Sequence, residues 1–150
     1  MLTTNVLLVD DEVPFVETMT KRLSKRNLTI LQAYSGPEAL EVLKRKNVDV
    51  VILDVKMPGM DGIEVLREIK KDHPLVEVVM LTGHATIETG IEGMKLGAFD
   101  YLLKPIKLEE LLVKLAQAFE KKDSHAQKIR SARIKELIRF PGRVFDQEKP

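Results

Sequence analysis

The sequence predicts an α/β fold in which helices cover both faces of a doubly wound parallel sheet. Short apolar runs alternate five times with longer segments whose apolar residues recur at helical spacing. This alternation, with short links between segments, is typical of parallel strands joined by right-handed crossovers. Five strand–helix pairs are too few for a (β/α)8 barrel, so an open sheet is expected.

The predicted strands are apolar runs that stop at polar or turn-forming residues. The central one runs from Val48 to Leu53, reaches Asp54, and is followed by a turn at Pro58 and Gly59. A continuous apolar run of this length indicates a strand that is buried on both faces. The other strands are expected at residues 5–9, 28–33, 76–81 and 101–103.

The predicted helices begin at recognisable capping residues. Pro14 stands in the first turn of the first helix, where proline is tolerated. Ser35 and Asp61 are each followed three residues later by a glutamate, the capping-box pattern that begins the second and third helices. Thr86 is the best-placed cap for the fourth helix. The apolar residues that indicate the last two helices are Ile87, Ile91 and Met94, and Leu108, Leu111, Leu112, Leu115 and Phe119.

After Phe119 the chain becomes polar and then basic, and we treat residues 122–150 as a tail that is too short to be an independent domain. We expect it to extend the fifth helix or to form a short separate one, ending at Pro141-Gly142. Lys122 and His125 interrupt its apolar strip, which argues against a long heptad coil. A solvated helix packed on its own domain is one interpretation of the tail, and partner docking or dimerisation is the other.

Composition narrows the class of protein. The chain has 150 residues, of which 44% are hydrophobic and 31% charged, so it can form one domain with a substantial core. A net charge of +1 gives no indication of a nucleic acid or an anionic membrane as partner. The absence of cysteine excludes disulfides and cysteine metal sites. Without a signal peptide or a membrane-spanning run in the sequence, a cytoplasmic protein is expected.

Polar residues stand at the carboxyl ends of four predicted strands. Asp10 and Asp11 follow the first strand, Asp54 the third, Thr82 the fourth and Lys104 the fifth. The carboxyl ends of parallel strands meet at one edge of the sheet, which is where open α/β sheets bind ligands. We therefore expect these five side chains to form one site.

Charge predicts what this site binds. Two carboxylates about 4 Å apart repel each other by roughly 4 kcal/mol at an effective dielectric constant near 20, and Lys104 offsets only part of that. Carboxylates without histidine or cysteine suit Mg²⁺ or Mn²⁺ rather than Zn²⁺, and such an ion would attract a phosphate. Thr82 and Lys104 could then contact phosphoryl oxygens, and Asp54 is the candidate nucleophile for an acyl phosphate.

Each of these residues also has a purely structural interpretation. Asp10 and Asp11 could be acids favoured at a helix N-terminus. Asp54 could cap the next turn, Thr82 could cap the fourth helix, and Lys104 could be a solvated loop residue. The positions taken singly leave these alternatives open. Their joint placement at one sheet edge favours a site.

In order along the chain, these motifs resemble the receiver domain of two-component response regulators over about residues 4–121. The segments that carry the resemblance are Asp10-Asp11, Asp54 with Met57-Pro58-Gly59-Met60-Asp61-Gly62, Thr82-Gly83-His84-Ala85, and Gly97-Ala98-Phe99-Asp100-Tyr101-Leu102-Leu103-Lys104-Pro105. The resemblance implies a receiver domain at residues 1–121 with a flavodoxin-like (βα)5 fold and strand order 2-1-3-4-5. It also implies a cis peptide bond between Lys104 and Pro105.

The resemblance further implies a role for each site residue. Asp54 would accept a phosphoryl group from the phosphohistidine of a histidine kinase or phosphotransfer protein. Mg²⁺ would be held by Asp11, Asp54 and the backbone carbonyl of Lys56, with Asp10 acting mainly through water. Lys104 would pair with the phosphoryl group.

The resemblance also implies how the signal leaves the site. Thr82 and Tyr101 would move on phosphorylation and remodel the face formed by the fourth helix, fifth strand and fifth helix, which controls a downstream protein partner. Lys56 and His84 occupy the positions that tune the lifetime of the phosphoryl group in this family. Such a domain catalyses only its own phosphorylation and dephosphorylation, so we do not expect an enzyme in the usual sense.

Other functions are weighed against this one. The chain could be a stand-alone receiver or the receiver part of a longer transcriptional regulator. A phosphatase with an aspartyl-phosphate intermediate usually has a second carboxylate two residues after the nucleophile, where this chain has Lys56. A flavodoxin needs a phosphate-binding loop after the first strand, where Asp10-Asp11-Glu12 would repel phosphate. We expect no direct contact with nucleic acid or membrane.

Overall fold

Alternating apolar runs and amphipathic segments fold into a three-layer α/β/α sandwich in the computed structural model, which describes residues 3–139. Five parallel strands form one sheet in the order β2-β1-β3-β4-β5, which confirms the flavodoxin-like (βα)5 fold and its predicted strand order. The strands are β1 Thr4–Val9, β2 Leu28–Ala33, β3 Val50–Leu53, β4 Glu77–Thr82 and β5 Asp100–Leu103. The helices are α1 Val13–Ser24, α2 Gly36–Arg45, α3 Gly62–Asp72, α4 Ile87–Lys95 and α5 Leu108–Arg139.

The sheet divides the apolar core into two layers, because successive side chains of a strand point to opposite faces. Leu7, Val51 and Leu53 pack with residues of α2 and α3 on one face. Leu8 and Ile52 pack with residues of α1 and α5 on the other. All four residues of β3 are at most 1% exposed, which confirms that the central apolar run is buried on both faces.

Three helix starts follow the predicted capping residues. Ser35 accepts a hydrogen bond from the backbone N–H of Glu38 at 3.3 Å, and Asp61 accepts one from Glu64 at 3.0 Å. Thr86 caps α4 by accepting the N–H of Thr89 at 3.0 Å. These bonds satisfy donors that have no partner within the helix, so the local sequence fixes where each helix begins.

Four of the five strands differ from the prediction at their ends, and β1 and β5 each simply begin one residue earlier. β3 begins at Val50 rather than Val48, because the side chain of Asp49, and not a strand carbonyl, accepts the backbone N–H of Asn5 at 2.8 Å. β4 is displaced by one residue and includes Thr82, whose carbonyl accepts the N–H of Lys104 at 2.9 Å. These shifts leave the site residues at the predicted edge of the sheet.

The apolar periodicity of α4 predicts the helix correctly, but its large side chains face outward. Ile87, Ile91 and Met94 are 82%, 52% and 48% exposed. Gly93 is the buried residue of this helix, and a Cβ atom at either Gly90 or Gly93 would lie 3.7 Å from the Tyr101 ring. The helix therefore rests on the sheet through its glycines and leaves an apolar face uncovered.

The tail continues α5, which runs unbroken from Leu108 to Arg139. This confirms the first of the two predicted arrangements, and the expected domain limit after residue 121 falls inside the helix. The remainder of the tail, residues 140–150 with the predicted stop at Pro141-Gly142, lies outside the described residues. Although α5 is long, neither it nor another helix within residues 3–139 is apolar enough to cross a membrane.

Two buried carboxylates fix α5 to the amino-terminal edge of the sheet. Asp49 and Glu77 are only 6% and 2% exposed. The ammonium group of Lys122 lies 2.9 Å from Asp49, and those of Lys121 and Lys70 each lie 3.6 Å from Glu77. Burial lowers the pKa of Lys70 below its usual range, and the Glu77 carboxylate only partly opposes this. Lys122, which interrupts the coiled-coil pattern, therefore forms an ion pair with Asp49 of its own domain.

Replacing Lys122 tests this attachment. We expect Lys122→Met to lower the free energy of unfolding by about 1–3 kcal/mol, because it leaves the Asp49 carboxylate buried without its ion pair. Adding Asp49→Asn should recover most of the loss, since no charge is then left unpaired. Urea denaturation measures both changes, with Lys128→Met as the exposed control on the same helix. A loss no larger than the control's would contradict the attachment.

Candidate functional site

Three of the predicted site residues are carried by backbone that continues the sheet's hydrogen bonding past the strand ends. The N–H of Asp10 donates to Ala33 at 3.2 Å, and the N–H of Asp54 donates to the carbonyl of Val9 at 3.0 Å. Lys104 is held in the same way by Thr82. The strands thus position these side chains rigidly at the carboxyl edge, where Asp10 and Asp54 are 1% and 2% exposed.

Lys104 forms the central ion pair of this edge. Its ammonium group donates to Asp10 at 2.5 Å and lies 3.3 Å from Glu12. The same nitrogen lies 4.0 Å above the centre of the Phe15 ring, within the range of a cation–π interaction. A second oxygen of Asp10 accepts the backbone N–H of Glu12 at 3.0 Å.

The pKa shifts at this ion pair reflect burial and charge. Burial raises the pKa of Asp10 above its usual value, and the nearby Asp54 carboxylate adds to the rise, although hydrogen bonds from Lys104 and Glu12 oppose it. Burial alone would lower the pKa of Lys104, but the hydrogen bond and charge of Asp10 outweigh burial, and the pKa is raised. Lys104 therefore stays an ammonium ion.

Three carboxylates converge beside this lysine. Asp10, Glu12 and Asp54 each offer an oxygen, and these atoms all lie within 4.8 Å of one another. Glu12 is the member that sequence reasoning missed, because it follows the end of β1 by three residues and its direction depends on the turn. The sequence signal that could have identified Glu12 as a site residue was its place in the acidic run Asp10-Asp11-Glu12. One lysine cannot balance three carboxylates, so the cluster keeps an excess of negative charge.

One oxygen of Asp54 has no hydrogen-bond partner. Its Oδ1 atom is buried and, within residues 3–139, accepts no hydrogen bond. A buried carboxylate oxygen without a donor is unfavourable unless a cation or another donor reaches it. The donor set consists of carboxylate oxygens, which is the set that Mg²⁺ or Mn²⁺ prefers. The residues at this edge therefore fit a hard divalent ion.

A cavity of about 380 Å³ opens beside Asp54. Asp11, Lys56 and His84 line it together with Glu12 and Asp54. The predicted metal residue Asp11 and the two predicted lifetime residues therefore share the cavity of the candidate nucleophile. Asp11 itself is exposed, unlike Asp10 and Asp54.

The loop after Asp54 is folded tightly against it. The N–H of Gly62 donates to the carbonyl of Val55 at 2.6 Å, and a Cβ atom at residue 62 would collide with the carbonyl oxygen of Asp54. Gly59 adopts a φ of 77°, which favours glycine. Glycine at these two positions lets the loop return to the sheet so that α3 begins beside the site.

The hydroxyl groups of Thr82 and Tyr101 form their hydrogen bonds with residues outside the acidic cluster. Thr82 is fully buried, and its hydroxyl oxygen accepts the backbone N–H of His84 at 3.0 Å. The hydroxyl oxygen of Tyr101 lies 2.6 Å from that of Thr89 in α4. The cis peptide bond expected between Lys104 and Pro105 is present.

A second cavity, apolar and near the surface, lies between α4 and β5. It measures about 770 Å³, and Ile87, Ile91, Met94 and Leu103 line it with Tyr101. Tyr101 therefore borders this groove while its strand leads directly to Lys104. Sequence reasoning did not predict the groove, because helical periodicity does not show which side chains the sheet leaves uncovered.

Comparison with known proteins identifies a family for this architecture. A family model described as "Response regulator receiver domain" matches residues 6–116. The DNA-binding transcriptional regulator NtrC of Escherichia coli (strain K12) is 34% identical over 88% of this chain and 27% of its own length. The putative response regulator NtrX-like of Rickettsia bellii is 38% identical over 77% of this chain and 25% of its own length. The chain spans about a quarter of the length of both relatives.

A solved structure supports the same relationship. The response regulator receiver domain protein from Clostridium thermocellum is 36% identical and superposes with a TM-score of 0.76. The match covers 80% of this chain and 97% of that one.

Replacing Asp54 by asparagine tests the cation site. We expect Asp54→Asn to raise the free energy of unfolding by about 1 kcal/mol without metal, because it removes a buried charge beside Asp10. Mg²⁺ at about ten times its dissociation constant should stabilise the wild-type protein by about 1.4 kcal/mol and leave the variant unchanged.

Thermal unfolding followed by circular dichroism measures both effects. Asp72→Asn, which alters an exposed carboxylate at the end of α3, is the matched control. An equal Mg²⁺ response in the wild type and in Asp54→Asn would rule out the site.

Proposed function

Because the chain belongs to the response regulator receiver domain family, we propose that it is a phosphorylation-controlled switch with Asp54 as the phosphoacceptor. The donor is the phosphohistidine of a histidine kinase or phosphotransfer protein. The observation that carries this proposal is the buried, unpartnered Oδ1 atom of Asp54 beside the Asp10–Lys104 ion pair. Members of this family are phosphoacceptor signalling domains rather than enzymes in the usual sense.

The reaction is a transfer of one phosphoryl group. An oxygen of the Asp54 carboxylate attacks the phosphorus, the phosphorus–nitrogen bond of the phosphohistidine breaks, and its electron pair remains on the histidine nitrogen. The product is an acyl phosphate on Asp54. Autodephosphorylation follows when water attacks the same phosphorus and the bond between phosphorus and the Asp54 oxygen breaks, which releases inorganic phosphate and restores the carboxylate. Lys56 and His84, which line the cavity beside Asp54, tune its rate.

A divalent ion, Mg²⁺ or Mn²⁺, belongs to this site. Asp11, Asp54 and the backbone carbonyl of Lys56 would hold it, and Asp10 would act mainly through water. Glu12 joins this set, because its carboxylate approaches those of Asp10 and Asp54. When bound, the ion supplies positive charge that offsets the carboxylates and the incoming phosphoryl oxygens.

Phosphorylation then redistributes the partners of two residues. A phosphoryl group brings about two negative charges to an edge that already has an excess, so the Lys104 ammonium group pairs with it in preference to Asp10 and Glu12. The Thr82 hydroxyl oxygen loses the hydrogen bond that it accepts from the N–H of His84, and the hydroxyl group donates to a phosphoryl oxygen. Both changes occur at the ends of β4 and β5, next to Tyr101.

The output is a change in the face formed by α4, β5 and α5. Tyr101 turns inward as Thr82 moves, and the apolar groove that it borders changes shape. The exposed side chains of Ile87, Ile91 and Met94 make this groove suitable for a downstream protein partner. Phosphorylation therefore acts as a population shift between two arrangements of one face.

We assign the chain to signal transduction through protein contacts. The name of one relative states that it binds DNA, but this chain corresponds to about a quarter of that protein. We propose that it is the receiver part of such a regulator, acts in the cytoplasm and does not itself contact nucleic acid. The alternative function, a phosphatase with an aspartyl-phosphate intermediate, is disfavoured because Lys56 stands where such an enzyme usually has a second carboxylate. Light scattering across a concentration series would reveal a homodimer, which the α5 extension could support.

Mass spectrometry after incubation with acetyl phosphate and Mg²⁺ tests the proposal. The wild-type chain should gain one phosphoryl group, because acetyl phosphate is a small donor that needs only the acceptor's own site. Asp54→Asn should gain none, since an amide is a poor nucleophile. Asp72→Asn should be labelled like the wild type. Equal labelling of Asp54→Asn would remove Asp54 as the phosphoacceptor.

A further inference from the structure

The hydroxyl group of Thr89 connects Tyr101 to the amino-terminal cap of α4. Its oxygen lies 2.6 Å from the hydroxyl oxygen of Tyr101. The same oxygen accepts the backbone N–H of Thr86 at 3.2 Å and lies 3.1 Å from the carbonyl of Thr86 and 3.0 Å from its hydroxyl. One atom therefore belongs both to the capping box of α4 and to the contact with Tyr101.

This hydroxyl group cannot satisfy all four neighbours at once. A threonine hydroxyl has one hydrogen to donate and two lone pairs, which allows three hydrogen bonds. If Thr89 donates to the Thr86 carbonyl and accepts the Thr86 N–H, one lone pair remains for which the hydroxyls of Tyr101 and Thr86 compete. When Tyr101 leaves, the Thr86 hydroxyl can take its place. The bond to Tyr101 can therefore break without leaving Thr89 unsatisfied.

Little else fixes the hydroxyl of Tyr101 at the surface groove. Within residues 3–139, Thr89 is its one hydrogen-bond partner. The ring is half-buried and lies against the α4 backbone near Gly90 and Gly93. Glycines provide no side chain that would obstruct rotation of the ring, so the Thr89 bond is the directional contact of this tyrosine.

We propose that Thr89 is a positioning residue that holds Tyr101 in the half-buried orientation of this structure, here called outward, and sets how readily the ring turns further inward. This inference rests on the proposed switching of Tyr101. Each inward turn breaks the Thr89–Tyr101 bond and leaves a lone pair of the Thr89 hydroxyl oxygen free to accept the Thr86 hydroxyl within the capping box of α4. The start of α4 and the orientation of Tyr101 are thereby coupled through one oxygen atom.

Fluorine NMR of protein containing 3-fluorotyrosine measures the effect. The chain has two tyrosines, so Tyr34 serves as the internal reference for Tyr101. The wild-type spectra without ligand and with saturating beryllofluoride and Mg²⁺ define the outward and inward signals. Thr89→Val, which keeps the shape and removes the hydroxyl, should raise the inward-to-outward ratio about 3- to 10-fold without ligand, the size expected for one hydrogen bond. Thr89→Ser should restore the wild-type ratio.

A variant of the cap separates this role from helix stability. Thr86→Val removes the competing hydroxyl and the side-chain cap but keeps the Thr89 hydroxyl for Tyr101. We expect its inward-to-outward ratio to stay the same or to fall. If Thr86→Val raises the ratio as much as Thr89→Val, the effect is loss of the cap and the proposal is wrong. Thr89→Ala replaces Thr89→Val if the latter does not fold.

The remaining outcomes are equally decisive. If beryllofluoride moves Tyr101 in the wild type but Thr89→Val has the wild-type ratio without ligand, Thr89 does not hold the tyrosine and the switch itself stands. If beryllofluoride leaves Tyr101 unmoved in the wild type, the proposed switch fails and the role of Thr89 fails with it. Melting temperatures of all variants confirm that the folded protein is being compared.

Discussion

The ion pair between Lys104 and Asp10 is the interaction on which the site depends. Asp10 and Asp54 are almost fully buried at the end of the sheet, and Glu12 approaches them from the following turn. Buried like charges are strongly unfavourable, and here the rigid ends of β1, β3 and β5 hold them in place. Lys104 offsets one of the three negative charges. The remaining excess of negative charge favours the binding of a cation, which in turn allows a phosphoryl group to bind.

The two edges of the same sheet show opposite balances of charge. At the amino edge, the buried carboxylates of Asp49 and Glu77 have three lysines within 4 Å, two of them from α5. At the carboxyl edge, three carboxylates share one lysine. The compensated edge attaches α5 to the sheet and has a structural role. Oε1 of Glu77 also accepts no hydrogen bond, but two lysine ammonium groups lie 3.6 Å from it. Within residues 3–139 no such ion pair reaches the unpartnered Oδ1 of Asp54, so the carboxyl edge is the one that can bind a cation.

Fold and site were predictable from the sequence to different extents. The meeting of Asp10, Asp54 and Lys104 was predictable from their positions at strand ends, because a parallel sheet brings those ends together, whereas the strand order was implied by the resemblance to receiver domains. Glu12 was missed because its direction depends on a turn. The Lys122–Asp49 pair joins residues 73 positions apart, for which local patterns give no signal. The exposure of Ile87 depends on what the sheet leaves uncovered, which helical periodicity does not show.

The excess of carboxylates over lysine at the carboxyl edge of the sheet is tested most directly by the affinity for Mg²⁺ when Lys104 is replaced by methionine. Calorimetric titration should show binding to Lys104→Met about tenfold tighter than to the wild type, since removing one positive charge beside a dication removes on the order of 1.4 kcal/mol of repulsion. Lys44→Met, which alters an exposed lysine at the end of α2, should bind Mg²⁺ like the wild type. Unchanged or weaker binding to Lys104→Met would contradict the account, because Lys104 would then not be what balances the carboxylates.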